Sequence, residues 1–313
     1  MTGPFISVVI PTIHRSALLV KCIDGVLAGD CADFELLVVD QSSDDLSRLA
    51  VAGRFGNDPR VRYLHSDVTG AARARNLGSE HACGEILAFL DDDAIPEPGW
   101  LSAFARAFRE SKPRPGMVGG RVTPAWEGPR PAWLPDEFMS LLGAYDAGDR
   151  ARAFPAGDFP MSGNFALPRA LMQQLGGFDT RLGFDEGRSN PLLGGEDSHL
   201  GLKVANAGLP VLYDPGAEIR HLIRGGKLTP RYLIRRLYWH GRTYVQLRHR
   251  SDGDRRTWRH VLKDSRAKRS ARPAPGGRKR PSLRSRAMFA GAGLAFVVGA
   301  LVETLVLLAG RED

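Results

Sequence analysis

The chain has 313 residues, 43% of them hydrophobic and 25% charged, which is an ordinary composition for a globular protein of one large or two smaller domains. Its three cysteines are an odd number without metal-type spacing, which argues against a disulfide framework or a cysteine-bound metal. The net charge of +8 is unevenly placed: residues 248–286 hold 15 Lys and Arg against 3 Asp, a net of +12, which leaves −4 for the rest of the chain.

Apolar runs alternate with amphipathic stretches over the first 125 residues, which predicts repeated strand–helix–strand units. We predict strands at residues 5–10, 35–39, 61–64 and 86–90, and helices at residues 16–28, 70–82 and 98–109. Right-handed crossovers place such strands in one parallel sheet. The carboxyl ends of three strands, at Pro11, Asp40 and Asp91, should therefore meet at one crevice, where sheets of this kind bind ligands.

Three consecutive carboxylates, Asp91, Asp92 and Asp93, follow the last of these strands. Such acids repel one another unless a cation joins them, and hard oxygen ligands suit Mg²⁺ or Mn²⁺. The run therefore predicts a metal bound together with a phosphate-bearing substrate. A solvated turn or a helix cap after the strand is the alternative.

Later parts of the chain have a different character. Residues 123–160 are rich in Pro, Trp and Gly without clear periodicity, which predicts loops with short helices. We expect one folded domain over residues 1–245, divided near residue 125. Residues 246–286 are cationic, polar and rich in Pro and Gly, which predicts a flexible linker.

Residues 287–310 carry a single charge, and as a helix they would measure roughly 36 Å, enough to cross a hydrocarbon core of about 30 Å. Two placements stay open: a transmembrane helix, or a segment lying in the membrane interface. Three small residues and the acid fall at steps of four on one helix face: Gly291, Ala295, Gly299 and Glu303. This face allows close contact with another helix, including that of a second copy in a homo-oligomer.

The surroundings of this apolar stretch predict a location. Cations directly before an apolar segment mark its cytoplasmic side, and no secretory signal opens the chain. We therefore expect a membrane-associated protein whose folded domain is cytoplasmic.

Eight short blocks of the sequence carry most of its polar and glycine-rich signals: residues 7–15, 37–44, 70–78, 90–93, 162–166, 176–179, 194–197 and 218–221. In this order they resemble the family 2 glycosyltransferases of the GT-A fold. The resemblance covers about residues 6–244 and implies an α/β fold with a Rossmann-like, mostly parallel sheet flanked by helices, followed by the membrane-associated helix. It also implies a nucleotide-binding half, residues 1–125, and an acceptor and catalytic half, residues 126–245.

The first blocks imply a nucleotide pocket. Asp40 would accept a hydrogen bond from the imide N–H of a pyrimidine base, with an Asx turn as the alternative. Four residues at the exit of the first strand would line the same pocket: Pro11, Thr12, His14 and Arg15.

The next blocks imply contacts to the sugar phosphates. Arg75 would balance phosphate charge, with a helix-surface arginine as the alternative, and Asn76 would brace its loop. Asp91 would touch the ribose, Asp92 would lie beside it on the nucleotide sugar, and Asp93 would bind the Mg²⁺ or Mn²⁺ that bridges the phosphates. Such a metal neutralises the departing diphosphate.

The last blocks imply the chemistry of transfer. Asp197, beside Glu196, would be the general base that takes the proton of the acceptor hydroxyl, in a single displacement that inverts the anomeric configuration. Helix capping is the alternative for this pair. His221, after a predicted strand at residues 217–219, would coordinate the metal or a phosphate oxygen, unless it is a structural histidine.

These residues together predict a metal-dependent, inverting hexosyltransferase of polysaccharide biosynthesis. It would move a sugar from a nucleotide-diphosphate donor to a hydroxyl of a glycan or lipid-linked acceptor. UDP is the nucleotide that the resemblance favours for this donor. The alternative is a non-catalytic GT-A scaffold that recruits partners at the membrane. Neither a dinucleotide fingerprint nor an ATP-binding loop is present, and the basic segment lacks interleaved aromatic residues, so we expect no NAD, ATP or nucleic-acid partner.

Overall fold

The computed structural model of the chain describes residues 4–155, 158–161, 163–185, 192–252 and 283–308. The chain divides into two compact units. Unit 1 comprises Met1–Ala125, Gly143–Pro191 and Glu196–Leu222, and unit 2 comprises Trp126–Leu142, Leu192–Gly195 and Ile223–Asp313. The first predicted half lies wholly in unit 1, whereas the second is shared between the units, because three of its strands join the sheet of unit 1.

Four parallel strands form the first part of this sheet, as the apolar runs predict. They are β1 (Ile6–Thr12), β2 (Phe34–Asp40), β3 (Val61–His65) and β4 (Ile86–Phe89). Their order is β3-β2-β1-β4, with β1 paired in parallel to both β2 and β4. The chain therefore leaves β1 on one side and returns on the other, which creates a topological switch point at the carboxyl ends of β1 and β4.

Five further strands continue the sheet, and the sequence pattern predicts only part of one of them. They are β5 (Ala94–Pro96), β6 (Met117–Trp126), β7 (Arg152–Ala153), β8 (Phe165–Pro168) and β9 (Val211–Ile223). β8 pairs antiparallel with β4, and β9 pairs antiparallel with β5 and β7. The nine-stranded sheet is thus mixed, with β8 antiparallel to both β4 and β6, and with β6 running in the same direction as the four parallel strands.

Helices cover both faces of the sheet, which explains why its central strands are buried at nearly every position and are mostly apolar. The helices of unit 1 are α1 (Ser16–Leu27), α2 (Leu46–Phe55), α3 (Ala71–His81), α4 (Trp100–Glu110), α5 (Arg169–Gln174) and α6 (Glu196–Asn206). Val8 and Ile10 of β1 pack in the core cluster that contains side chains of α1, α2 and α4. Val9 packs in the opposite cluster, which contains side chains of α3, α5 and α6.

Unit 2 is built around two long helices, α7 (Pro230–Asp252) and α8 (Leu283–Leu308), and a 3₁₀ helix at Asp136–Leu142. Its larger core cluster joins Phe138 and Leu142 of the 3₁₀ helix to Leu233 and Leu237 of α7. Residues 246–252, the first part of the predicted linker, belong to α7. Residues 253–282 of that linker, and residues 309 and 310 of the apolar stretch, lie outside the described residues.

The small-residue face of α8 packs against α7 of the same chain. A Cβ atom added at Gly299 would lie 1.9 Å from the carbonyl oxygen of Tyr238, and one added at Gly241 would lie 2.1 Å from that of Phe296. Only glycine permits backbones to approach this closely. α7 thus occupies this face around Gly299, and the homo-oligomer contact predicted for the face stays a prediction.

Glu303 also has its partner within the chain. It is 1% exposed, accepts a hydrogen bond from Arg242 and another from Gln246, and so balances the charge of a buried arginine. The pairs Tyr238–Gly299 and Arg242–Glu303 advance in the same direction along both helices, so α7 and α8 run parallel. The charged position thus fixes the register between two otherwise apolar contact faces.

In the ranges that the structure describes, no helix combines the length and the apolar character needed to cross a membrane. The transmembrane placement of residues 287–310 is therefore not supported. The interface placement stays a prediction.

The ion pair between the helices predicts a non-additive effect on stability. Glu303→Leu should lower the free energy of unfolding by about 3–5 kcal/mol, because it leaves the buried Arg242 without its counter-charge. Adding Arg242→Met should restore most of the loss. Urea unfolding followed by tryptophan fluorescence measures both, and a double variant no more stable than Glu303→Leu would contradict the pairing.

Candidate active site

The middle carboxylate of the acidic run joins the ends of β1 and β4. Thr12 Oγ1 donates to Asp92 Oδ2 over 2.8 Å, and Arg15 Nη1 donates to Asp92 Oδ1 over 3.0 Å. Burial raises the pKa of Asp92 to about 6, and the charge of Arg15 opposes the rise. Each oxygen of Asp92 thus accepts a hydrogen bond from a protein group, and these bonds tie the acidic run to the end of β1 and to Arg15.

Asp93 and His221 are neighbours, as a shared metal requires. Asp93 Oδ1 lies 3.3 Å from His221 Nε2, and both side chains are buried. The pairing of β5 with β9 causes this approach, since Ala94 stands opposite His221 in the register. Within the described residues, His221 Nδ1 has no hydrogen-bond partner.

The chemistry of this pair fits a hard divalent cation. A carboxylate oxygen and an imidazole nitrogen are both ligands of Mn²⁺, and Mg²⁺ usually takes one or two protein ligands together with phosphate oxygens and water. Across the described ranges, no cluster of three or more His, Cys, Asp or Glu side chains is arranged to hold a metal. The protein therefore offers two ligands here, and a diphosphate and water would have to provide the others.

A second cluster forms around Arg75 of α3, which is fully buried. Its Nη2 donates to Asp91 Oδ1 over 2.7 Å and its Nη1 donates to Glu196 Oε1 over 2.8 Å. Asp197 Oδ1 lies 3.5 Å from the same Nη1. The two acidic blocks, more than 100 residues apart in the sequence, therefore meet at one guanidinium. Both terminal nitrogens of Arg75 are engaged by carboxylates, which differs from the phosphate contact predicted for it.

Asp197 has the properties of a general base. Burial raises its pKa to about 8, the charge of Arg75 opposes the rise, and the nearby carboxylates of Glu196 and Asp91 add to it. Its Oδ1 has no hydrogen-bond partner among the described residues. A carboxylate whose pKa lies near neutral pH suits proton transfer.

Asp40 lies at the centre of the hydrogen bonds in the region predicted to bind the nucleotide base. This side chain is fully buried, with Oδ1 accepting from the Ser42 backbone N–H over 2.9 Å and Oδ2 accepting from the Tyr63 hydroxyl over 2.7 Å. The Asx turn considered as its alternative is therefore present. The sequence patterns gave no indication of Tyr63, which comes from the neighbouring strand β3.

His14 connects the loops after β1 and β2. Its backbone has a φ of 51°, its N–H donates to Ser42 Oγ over 2.7 Å, and its Nδ1 lies 2.9 Å from Asp44 Oδ2. Pro11 pairs with Val39 in the parallel register of these two strands. The predicted pocket residues thus lie at the carboxyl ends of β1 and β2 and directly after β1.

Asn76 braces a loop, as predicted. Its Nδ2 donates to the Phe178 carbonyl over 3.0 Å, and its Oδ1 accepts from the Phe178 N–H over 2.9 Å. Gly177, with a φ of 70°, leaves the space that Asn76 Oδ1 occupies. The block at residues 176–179 is therefore a support for α3.

The block at residues 162–166 supports the acidic run; Ser162 itself lies outside the described residues. Gly163 has a φ of 61°, and a Cβ atom there would lie 2.4 Å from Asp91 Oδ1. Asn164 accepts from Trp100 Nε1 over 2.8 Å and donates to the carbonyls of Arg121 and Ala217 over 2.9 Å each. Sequence analysis assigned no role to Asn164 or Trp100, although the polar Asn between apolar strands was a signal.

Asp185 is a further buried acid that sequence reasoning missed. It accepts hydrogen bonds from Thr69 Oγ1 over 2.8 Å and from Arg73 Nη1 over 3.0 Å. These contacts hold the chain after Gly183 against the start of α3, the helix that carries Arg75.

Comparison with known proteins agrees with this geometry. Residues 7–176, more than half of the chain, match the family described as Glycosyl transferase family 2. A relative from Haloferax volcanii, glucosyl-dolichyl phosphate glucuronosyltransferase, is 26% identical over 241 residues that cover 75% of each chain.

Two solved structures share the fold. A mannosyltransferase from Pyrobaculum calidifontis in complex with GDP-Man and Mn²⁺ superposes with a TM-score of 0.61 and 19% identity, covering 97% of this chain and 87% of that one. GalNAc-T7 with UDP, GalNAc and Mn²⁺ superposes with a TM-score of 0.55 and 17% identity, covering 84% and 55%. On this evidence the chain belongs to glycosyl transferase family 2, and it is a glycosyltransferase of the GT-A fold.

Proposed function

We propose that the chain is a metal-dependent, inverting glycosyltransferase that moves a sugar from a nucleotide-diphosphate donor to a hydroxyl group. The observation that carries this proposal is that one short acidic run takes part in two sites. At one end of the run, Asp93 lies beside His221. At the other end, Arg75 connects Asp91 to Asp197. UDP is the first donor base to test. GDP is the second, because one of the two similar structures holds GDP-Man and the other holds UDP.

In this proposal Asp93 and His221 hold Mg²⁺ or Mn²⁺, which stabilises the negative charge of the departing diphosphate. Asp92 does not contact the donor directly; with Thr12 and Arg15 it keeps the acidic run in place. Asp197 takes the proton of the acceptor hydroxyl as that oxygen attacks the anomeric carbon from the face opposite the diphosphate. A single displacement needs one such base and no covalent intermediate.

We further propose a lipid-linked or glycan acceptor at the cytoplasmic face of a membrane. One relative is named for transfer involving a dolichyl phosphate. Four side chains of α8 form an exposed apolar stripe at steps of four, three and four: Leu294, Val298, Leu301 and Leu305. A helix with such an outer face suits the membrane interface, and the adjoining basic segment suits anionic headgroups.

A non-catalytic scaffold is the alternative function. A scaffold would need neither a general base nor a metal site. Yet Asp197 is buried beside the charge of Arg75, and Asp93 and His221 are buried side by side. Turnover decides between the two.

The metal assignment predicts the behaviour of Asp93→Asn. The variant should lose roughly 10-fold or more of its Mn²⁺-dependent affinity for UDP or GDP, because one of two protein ligands loses its charge. Thermal shift with each nucleotide, with Mn²⁺ or with EDTA, measures the effect by mass action. Asp33→Asn, at the opposite edge of the sheet, is the control. Unchanged metal-dependent binding in Asp93→Asn would remove the assignment.

The base assignment predicts that Asp197→Asn binds donor normally and loses roughly 10²-fold or more in turnover. A base works only when deprotonated, so wild-type activity should rise with pH on an acid limb that reports this carboxyl, whose pKa burial raises to about 8 in the free chain. The limb should vanish in the variant. Near-normal turnover would transfer the role to Glu196 or Asp179, and an inactive wild type would favour the scaffold.

The membrane assignment predicts that the chain stays on anionic vesicles through a high-salt wash, because burial of the stripe is not screened by salt. Replacing Leu294, Leu301 and Leu305 together by Ser should make binding salt-sensitive. Leu46→Ser with Leu49→Ser, two exposed leucines of α2, is the matched control. Vesicle co-sedimentation measures both. Release of the wild type by salt alone would show that only the basic residues bind.

A further inference from the structure

We propose that Arg75 is the positioning residue that sets the geometry between the donor side of the site and its base. One buried guanidinium donates a hydrogen bond to Asp91 with one terminal nitrogen and to Glu196 with the other, and Asp197 Oδ1 lies 3.5 Å from that second nitrogen. The inference rests on the proposed function and replaces the phosphate contact that the sequence suggested for this arginine.

The shape of the guanidinium is essential to this role. It is planar, and its two terminal nitrogens keep a fixed separation, so two carboxylates bound to them keep a fixed separation as well. A lysine ammonium provides the same charge at a single point and cannot hold both. Arg75 therefore acts as a rigid spacer between Asp91 and Glu196, and Glu196 precedes the base Asp197 at the start of α6.

The guanidinium is itself held in place. Arg75 is 3% exposed, and its guanidinium carbon lies 5.7 Å from the centroid of the Phe178 ring. The backbone of Phe178 is fixed by both polar atoms of Asn76, the next residue of α3. One helix thus carries the spacer and the side chain that holds its packing partner.

The side chains of this cluster differ in how much of each is exposed to solvent. The side chain of Asp91 is 26% exposed, whereas those of Arg75, Glu196 and Asp197 are 4%, 5% and 11% exposed. Asp91 is the member that a donor in the crevice reaches first. A donor placed against Asp91 is then at a defined position relative to the base, although neither the donor nor the acceptor touches Arg75.

Arg75 also affects the charge of the base. Its positive charge favours the ionised form of Asp197, as does a hydrogen bond from the Gly163 backbone N–H, while Glu196 and Asp91 disfavour that form. A neutral residue at position 75 would leave three carboxylates together. The acid limb of the pH–rate profile should then move to higher pH, by about 1 unit or more.

Three variants test the role, with UDP- and GDP-sugars as donors, water as the acceptor, Mn²⁺ present and nucleotide release as the readout. Arg75→Lys should bind UDP or GDP with near-wild-type affinity and lose roughly 10²-fold in turnover, the cost of a misplaced reacting group. Arg75→Gln should in addition move the acid limb upward. Arg62→Lys, the same change in a pair with Glu35 at the amino-terminal edge of the sheet, should leave turnover unchanged.

The outcomes separate this inference from the proposed function. Circular dichroism checks folding, and if Arg75→Gln does not fold, Arg75→Lys alone decides. An Arg75→Lys variant that keeps wild-type turnover, or that loses nucleotide affinity with an unchanged rate at saturation, would overturn the positioning role. A wild type that binds UDP or GDP and turns over no donor would overturn the proposed function instead.

Discussion

The site depends on how charge is compensated at the carboxyl ends of β1 and β4. Five largely buried carboxylates meet there: Asp91, Asp92, Asp93, Glu196 and Asp197. Arg15 pairs with Asp92 and Asp93, and Arg75 pairs with the other three. A buried carboxylate without a partner would cost several kcal/mol, so the two arginines are conditions of folding as well as of chemistry. Carboxylates still outnumber arginines, which favours a divalent cation at this edge.

Close backbone approach makes this concentration of acids possible. Gly163 allows the loop before β8 to touch Asp91, and Gly183, with a φ of 98°, leaves a Cβ position 3.2 Å from the Glu196 carboxyl carbon. A side chain at either glycine would separate the carboxylates from the backbone that surrounds them. The glycine-containing blocks of the sequence are thus packing requirements of the acidic site, in addition to marks of a family.

Unit 2 also combines close backbone contact at glycines with a buried ion pair. Its two long helices run parallel and touch at Gly241 and Gly299, where backbone meets backbone, and one buried ion pair sets their register. Using the small-residue face within the chain leaves the opposite face of α8, with Leu294 and Leu305, exposed. The side of α8 that stays exposed and apolar therefore depends on the face that α7 covers. This exposed apolar side supports the interface placement in the proposed function.

The sequence by itself determined the four parallel strands, the crevice at Pro11, Asp40 and Asp91, and the family, because buried strands and turn residues leave local, periodic signals. It placed His221 near the metal only through resemblance, and it missed β6, β8 and the partner of Arg75. Tertiary structure decided these points. The antiparallel pairing of β5 with β9 brings His221 to Asp93, and the packing of helices α3 and α6 in one core cluster brings Glu196 to Arg75. A charge partner 121 positions away leaves no pattern in a residue's own neighbourhood. Spacing did predict the small-residue face of α8 as a helix contact, whereas only packing shows that α7 of the same chain covers it.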